Sequence, residues 1–246
     1  MSSREWVCLA SPGVVRSAAV ARRKPAKRDA PRLEASTTIL EAALERLSAL
    51  GPAAVHPQEI CRRHDLSKAL VNYHFGGRDG LIAHAMALGY ERYVDELEAA
   101  ARDAGPDPFD RLVAWIDAQV EWTARNPGLA AALNFPRHVA SKPTELPEEI
   151  FARLNAAGDR NFSNLQLLVG QARAALRPKS SRRAPDDAAQ TALDSAAIGW
   201  MTLGLSVWVA GQHLPTRSLD GGKARSRGLP VARSHMREVI RSLLSR

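Results

Sequence analysis

Apolar side chains return every three or four residues along most of this chain, and no stretch shows the two-residue alternation of a half-buried strand. The first segment, residues 36–50, ends at Gly51. Two short segments follow, and a long one covers residues 78–104 before it stops at Gly105. Five further segments have the same spacing: residues 107–125, 128–134, about 147–176, 186–211 and 231–245. The pattern predicts an all-α protein of about nine helices.

The two short segments together, residues 56–75, have the features of a helix-turn-helix. Pro57 suits the first position of a helix, where its missing N–H would have no partner. Asp65 tolerates the left-handed conformation that a tight turn needs, and Leu66 returns the chain to the core. Ser67 can cap the second helix by accepting a main-chain N–H. In units of this kind the second helix enters the major groove of DNA.

These residues resemble the N-terminal domain of the TetR family of transcriptional regulators. The resemblance covers about residues 36–90, and it rests on the helix ILEAALERLSALG followed by Ile60-Cys61, by His64-Asp65-Leu66-Ser67, by Val71-Asn72-Tyr73-His74-Phe75, and by Arg78 and Leu81. The chain departs from the family pattern at His56-Pro57 in place of a Thr pair, Cys61 in place of Ala, Asp65 in place of Gly and Asn72 in place of Tyr. The resemblance implies a three-helix DNA-binding domain followed by a larger helical domain for ligand binding and dimerisation.

The resemblance also implies which side chains contact DNA. Lys68 and Arg78 suit phosphate or guanine, and Asn72 has the donor and acceptor that adenine matches. For Tyr73 and His74, packing alone is the alternative. Carried over residue by residue, the implied contacts are Gln58, Ser67, Lys68, Ala69, Leu70, Asn72, Tyr73, His74 and Arg78.

Proline content and charge divide the chain into three parts. Residues 1–33 are rich in proline and lack periodicity, which predicts a disordered basic extension. Residues 34–80 then form the DNA-binding domain, and residues 81–246 form the effector-binding and dimerisation domain. The net charge is +8, and eight basic against three acidic side chains lie in residues 1–35. This arm either follows the phosphate backbone of DNA or is a solvated tail without a partner.

Composition excludes several other classes of protein. Two cysteines, Cys8 and Cys61, disfavour a disulfide framework, and no clean apolar leader precedes the first helix, so we expect a cytoplasmic protein. His56, Cys61 and His64 have no further ligand nearby, and we therefore expect no metal. No set of nucleophile, base and orienting residue is visible, so we expect neither an enzyme nor a cofactor.

The segment 186–211 has no charged side chain after Asp194 and is long enough to span a membrane. Ser195, Thr202 and Ser206 interrupt it, however, and a helix that is apolar all round is usually buried on both sides. The resemblance implies that this helix and residues 231–245 pack against a second protomer as a four-helix bundle. We therefore expect no membrane span but a homodimer that reads roughly palindromic operator DNA.

Aromatic side chains are frequent in the C-terminal part of the chain. Trp115, Trp122 and Trp200 are candidates for an apolar effector pocket, with ordinary core packing as the alternative for each. Residues 78–104 form the only predicted helix long enough to link such a pocket to the DNA-binding domain.

The sequence therefore predicts a TetR-type regulator, a repressor that a small apolar effector releases from its operator. Two alternatives remain open at this point. One is a dimeric DNA-binding protein without an effector. The other is a helical enzyme or membrane-associated protein in which the helix-turn-helix is incidental.

Overall fold

Nine α-helices make up most of the chain that the computed structural model describes, namely residues 30–134, 147–177, 187–213 and 228–245. No strand occurs within these ranges. A single 3-10 turn, Pro52–Ala54, precedes the second helix. The helices are α1 Ala30–Leu50, α2 Pro57–Arg63, α3 Ala69–Phe75, α4 Arg78–Asp103, α5 Pro108–Arg125, α6 Pro127–Asn134, α7 Glu148–Leu176, α8 Asp187–His213 and α9 Gly228–Leu244. The prediction of an all-α fold is confirmed.

Two helices begin earlier than their apolar spacing predicts. Helix α1 begins at Ala30 rather than Ser36, so the predicted disordered extension is wrong for residues 30–33, while residues 1–29 lie outside the described residues. Helix α9 begins at Gly228 rather than Val231. In both helices a proline lies within the first turn, where its missing N–H leaves no hydrogen bond unmade. The prolines therefore lie in the first turns of these helices and not in the preceding loops, where a proline is expected from sequence alone.

The helix-turn-helix packs on α1 through a small apolar core. Ile39 and Leu47 of α1 are fully buried, and they meet Ile60 of α2 together with Val71 and Phe75 of α3 in one cluster. Burial of these side chains fixes the rotation of α3 about its axis. The opposite face of α3 is consequently turned to solvent.

Helix α4 connects this unit to the rest of the molecule. It packs against α1 and α3 at one end, and against α5 and α7 along the remainder of its length. The apolar cluster continues without a break from Ile39 through Leu97 and Trp115 to Ile240. The predicted DNA-binding and C-terminal domains therefore share one continuous core.

Ion pairs fasten α7 to the outer side of α4. Arg153 forms a two-point hydrogen-bonded pair with Glu91, at 2.8 and 2.7 Å. Further along α7, Arg160 donates to Glu98 at 2.7 Å and also pairs with Asp95. Such pairs add geometric definition more than free energy, because their side chains are partly exposed. They align α7 with α4 along their contact.

Helix α6 approaches α1 so closely that one contact requires glycine. A Cβ atom on Gly128 would overlap the main-chain N of Gly51 and the carbonyl O of Leu47. Leu129, the next residue, is buried against α4 at Gly89, where no side chain stands between the two helices. Helix α6 therefore touches both α1 and α4.

Helix α8 has one polar buried side and one apolar exposed side. Its buried side includes Asp194, Ser195, Thr202 and Ser206, and Asp194 forms a buried ion pair with Arg173 of α7. By length and composition, residues 188–211 could also cross a membrane, and they are the only such segment among the described residues. About a third of its most apolar stretch is buried inside the protomer.

Candidate functional site

The turn before α3 has the local geometry that its residues predict. Asp65 adopts a left-handed φ of 54°, and the main-chain N of Leu66 donates to the carbonyl of Cys61 at 2.8 Å. The Ser67 hydroxyl accepts from the main-chain N of Ala69 at 3.2 Å, and Lys68 already has helical φ and ψ. Gly76 ends the helix with a φ of 70°, a conformation that glycine adopts without strain. The prediction that Ser67 accepts a main-chain N–H at the start of this helix is confirmed.

The structure brings most of the predicted DNA contacts to one exposed surface. Tyr73 is 73% exposed although it is a large aromatic residue. Leu70 and His74 are only half-exposed, and Leu70 packs against the core. Fully solvent-facing positions on this surface are Gln58, Ser67, Lys68, Ala69, Asn72 and Tyr73. We call these six residues the α3 face.

Arg78, another predicted contact, is exposed in a groove with Lys68 and Asn72 and also bonds the main chain. Its Nε donates to the carbonyl of Val55 at 2.8 Å, and its Nη2 donates to the carbonyl of Pro52 at 2.5 Å. Its remaining Nη1 lies 3.5 Å from Asp79. The guanidinium thus ties the start of α4 to the turn before α2.

Sequence reasoning missed several cations beside the α3 face. Arg62 and Arg63 at the end of α2 are exposed, and His56 joins Lys68 and Asn72 in a groove of about 420 Å³. A bidentate pair between Arg46 and Glu59, at 3.0 and 2.7 Å, holds α2 on α1. The outward spacing of Arg62 and Arg63 on α2 was the available signal. No cluster of three or more His, Cys, Asp or Glu side chains with metal-site geometry occurs among the described residues.

A cavity of about 500 Å³ lies between the helices of the C-terminal part. Five helices contribute to its wall, and the structure places both Trp115 and Trp122 in that wall. The lining residues are Met86, Tyr90, Tyr93, Trp115, Gln119, Trp122, Thr123, Ala130, Leu133, Phe151, Leu154, Asn155, Asn161, Phe162, Leu165, Gly199, Leu203 and Ser206.

Trp200 does not line this cavity, so that prediction is wrong. Its neighbour Gly199 lines the wall instead, together with Leu203 and Ser206 of the same helix. One residue further along an α-helix is a rotation of about 100°. That rotation carries Trp200 to the outer surface, where it is 72% exposed.

Comparison with known proteins gives the architecture a family. The family described as "Bacterial regulatory proteins, tetR family" matches residues 39–85. The HTH-type transcriptional regulator BetI of Stenotrophomonas maltophilia (strain R551-3) is 35% identical over 128 residues, which are 52% of this chain and 63% of that relative. The match assigns residues 39–85, which contain α2 and α3, to the TetR family. The matched stretch spans less than two thirds of the curated relative.

Solved TetR-family structures have the same fold at low identity. The regulator PfmR from Thermus thermophilus is 21% identical, and the superposition has a TM-score of 0.54 over 85% of this chain and 99% of that one. A TetR-family regulatory protein from Rhodococcus RHA1 is 20% identical, with a TM-score of 0.55 over 86% and 97% of the two chains. At this level of identity the likeness concerns the fold. The residues 39–85 that match the TetR family include all nine predicted DNA contacts and end before the first residue of the cavity wall.

Proposed function

We propose that this TetR-family protein is a cytoplasmic, homodimeric, sequence-specific DNA-binding repressor and not an enzyme, and that a small molecule in the 500 Å³ cavity releases it from its operator. The observation on which this depends is the α3 face. A short helix buried on one side by Val71 and Phe75 presents Lys68, Asn72 and Tyr73 to solvent on the other. Burial holds the helix in one orientation, as groove reading requires.

The chemistry of the α3 face supports DNA as the partner. Lys68 supplies a cation for phosphate, and the Asn72 carboxamide can pair in two places with the edge of adenine. Tyr73 exposes both a ring and a hydroxyl, so it can pack on the backbone sugars and donate to a phosphate. Its ring meets the ring of His74 edge to face, and most of the Tyr73 side chain lies in solvent. The arrangement therefore supports a contact surface for nucleic acid.

The exposed side of α8 supports a second copy of this chain as the other partner. An apolar stripe with helical spacing faces solvent in the protomer: Leu193, Ala197, Trp200, Gly204, Trp208 and Gly211. Leu193 and Trp200 are 65% and 72% exposed. On α9, Val231 and Val239 add further exposed apolar surface. We call this combined surface the α8–α9 face, and a contiguous exposed apolar stripe of this kind is typical of an interaction surface.

The distribution of polar groups on α8 favours a dimer over a membrane span. Asp194 and its partner Arg173 are buried within the protomer, as are Thr202 and Ser206. A helix that spans lipid exposes apolar side chains around its whole circumference or, in a bundle of such helices, around the outside of the bundle. Here the polar side faces α5 and α7, and only the opposite stripe is free to meet another protein.

Two elements connect the cavity to the DNA-binding domain. Helix α4 lines the cavity with Met86, Tyr90 and Tyr93. The first turn of α4 packs against Phe75 at the end of α3. Helix α6 lines the cavity with Ala130 and Leu133 while Gly128 lies against α1. The expectation that only the long helix could make this link is therefore wrong. In the proposed mechanism a ligand shifts α4 and α6 together and changes the spacing of the two α3 helices in the dimer.

In vitro selection from random double-stranded DNA tests the proposal. We expect the purified protein to enrich an inverted repeat, with affinity that falls steeply as salt rises. Tyr73→Ala and Lys68→Ala should each weaken binding by about 1–3 kcal/mol. Lys68→Ala should also make the logarithm of the affinity fall less steeply with the logarithm of the salt concentration, by about the amount that one phosphate contact contributes. Arg102→Ala, an exposed charge at the far end of α4, serves as the matched control. Failure to enrich any sequence would exclude the proposed function.

A further inference from the structure

The described residues that line the 500 Å³ cavity include no Asp, Glu, Lys, Arg or His. Charged groups between α4 and α7 pair with each other, as Arg153 does with Glu91 and Arg160 with Glu98. A carboxylate or phosphate entering the cavity would thus lose its hydration without gaining a counter-ion. That transfer is costly in a wall of this composition.

Aromatic rings cover much of the same wall. The rings of Tyr93 and Trp122 lie 4.7 Å apart between centroids with planes at 59°, and Tyr90 stacks on Tyr93 at 5.8 Å. Trp115 adds a further ring and is 2% exposed. Burial raises the pKa of the Tyr90 phenol and raises the pKa of Tyr93 well above its ordinary value, so neither becomes a phenolate that could balance a cation. The wall offers flat apolar surface with neutral hydroxyl groups at its border.

Polar side chains line the cavity at two places: on α7, where Asn161 hydrogen-bonds Tyr90, and at the junction of α5 with α8. The Gln119 Nε2 lies 3.4 Å from the Ser206 hydroxyl, which is long for a hydrogen bond. Thr123, one turn further along α5, donates its hydroxyl to the carbonyl of Gln119 at 2.9 Å. Ser206 and Thr123 are buried, whereas Phe151 and Phe162 on the α7 side of the cavity are about half-exposed. The Gln119 carboxamide can exchange its weak contact for a stronger one with a ligand.

We infer that this cavity takes an uncharged molecule with an aromatic or fused-ring body, held by ring contacts with Tyr93 and Trp122 and by one hydroxyl, carbonyl or amide group that pairs with Gln119. The inference rests on the proposed effector function of the same cavity and names the chemical class of that effector. A volume of about 500 Å³ lies within the range of cavities that enclose drug-sized ligands.

Organic cations are the main competing class, because aromatic faces attract ammonium groups. The described part of the wall has no carboxylate that would complete such a site, which is why we favour a neutral ligand. A comparison of matched neutral, anionic and cationic probes separates these classes. The aromatic body stays constant within each set, so that only the charge of the substituent differs.

The probes are the hydroxymethyl, carboxylate and aminomethyl derivatives of benzene, naphthalene and anthracene, with dissociation constants from quenching of tryptophan fluorescence and from thermal shift. We expect at least one alcohol to bind, and to bind at least about tenfold more tightly than its carboxylate and ammonium analogues. Equal or tighter binding of a charged analogue would overturn the inference. So would the absence of binding by every alcohol up to its solubility limit.

Two variants test the position of the polar group. Gln119→Leu and Ser206→Ala are compared with the bound alcohol and with the methyl analogue that lacks its hydroxyl. Gln119→Leu should weaken the alcohol about fivefold to tenfold and leave the methyl analogue unchanged. Equal effects on both ligands would contradict the assigned contact. Ser206→Ala releases the Gln119 carboxamide from its 3.4 Å contact, so it should not weaken the alcohol, and Gln119→Met provides the same comparison as Gln119→Leu if the latter does not fold.

DNA binding, measured separately on the selected sequence, distinguishes failure of this inference from failure of the proposed function. If DNA is bound but only charged probes bind the cavity, the neutral-ligand inference is wrong and the regulator proposal stands. If the alcohols bind as expected but no DNA sequence is enriched, the ligand class is correct and the regulator proposal is wrong.

Discussion

At the scale of single residues, Arg78 has a structural role beside its predicted role as a DNA contact. It lies just after α3, where a cation could reach phosphate. Its guanidinium also donates to the carbonyls of Val55 and Pro52, both in the turn between α1 and α2. Planar geometry allows one arginine to bond both carbonyls at once. Lysine has no equivalent geometry.

Replacing Arg78 by lysine therefore separates the two roles. The positive charge is retained, so a phosphate contact would persist, whereas the two-carbonyl bridge would be lost. We expect Arg78→Lys to lower the free energy of unfolding by about 1–2 kcal/mol, measured by urea denaturation. Lys68→Arg, a charge-preserving change on the exposed α3 face, is the control and should leave the unfolding midpoint unchanged. Unchanged stability in Arg78→Lys together with weaker DNA binding would indicate a direct contact instead.

Residue identity alone predicts some of these placements and not others. The exposure of Lys68, Asn72 and Tyr73 follows from helical spacing once Val71 and Phe75 are assigned to the core. The anchoring of Arg78 depends on where two distant carbonyls lie, which no local pattern specifies. For Trp200, the apolar content of α8 hides which side faces the cavity, because both sides are apolar enough to be buried.

At the scale of elements, α6 is short and yet contacts three parts of the fold. It packs against α1, against α4 and against α8, and its inner side forms part of the cavity wall. The contact at Gly128 brings the backbone of α6 against the end of α1 with no side chain between them. The sequence predicts a helix here, but a glycine such as Gly128 is typical of a loop. The close approach of the two helices therefore becomes visible only in the structure.

Substitution of Gly128 tests whether that close approach is needed. Gly128→Ala would place a methyl group inside the backbone of Leu47 and Gly51, and overpacking of this kind costs about 1–3 kcal/mol. Gly170→Ala on α7 is the matched control, because its added Cβ would lie 3.5 Å from the Thr191 methyl, an ordinary contact. We expect thermal unfolding to show a lower Tm for Gly128→Ala only. Equal Tm values for the two variants would mean that α6 sits loosely on α1.

At the scale of the whole molecule, the account requires two protomers. A single α3 face would read only half of an inverted repeat, and the apolar stripe of α8 would remain in water. Pairing of the α8–α9 faces removes that stripe from solvent and relates the two α3 helices by symmetry. The apolar composition of α8 already predicts this interface from the sequence. The structure adds that Trp200 and Leu193 are the large side chains at its surface.

A charge at Trp200 should separate the protomers. Trp200→Glu would place a carboxylate in the middle of the α8–α9 face, the proposed contact between two copies, and the uncompensated charge would oppose association. We expect the variant to be monomeric at micromolar concentration by light scattering, with helical content retained by circular dichroism. Leu50→Glu, at an exposed apolar position on α1, is the control and should remain dimeric. A dimeric Trp200→Glu protein would place the interface elsewhere.

Sedimentation of the protein with its selected DNA counts the protomers on each site and so tests the proposed dimeric DNA reader. We expect two protomers bound per inverted repeat, with half-sites about one helical turn apart. We also expect Trp200→Glu to lose most of the affinity for the full repeat although its α3 face is intact. One protomer per site, bound with undiminished affinity by Trp200→Glu, would show that the protein does not read DNA as a dimer.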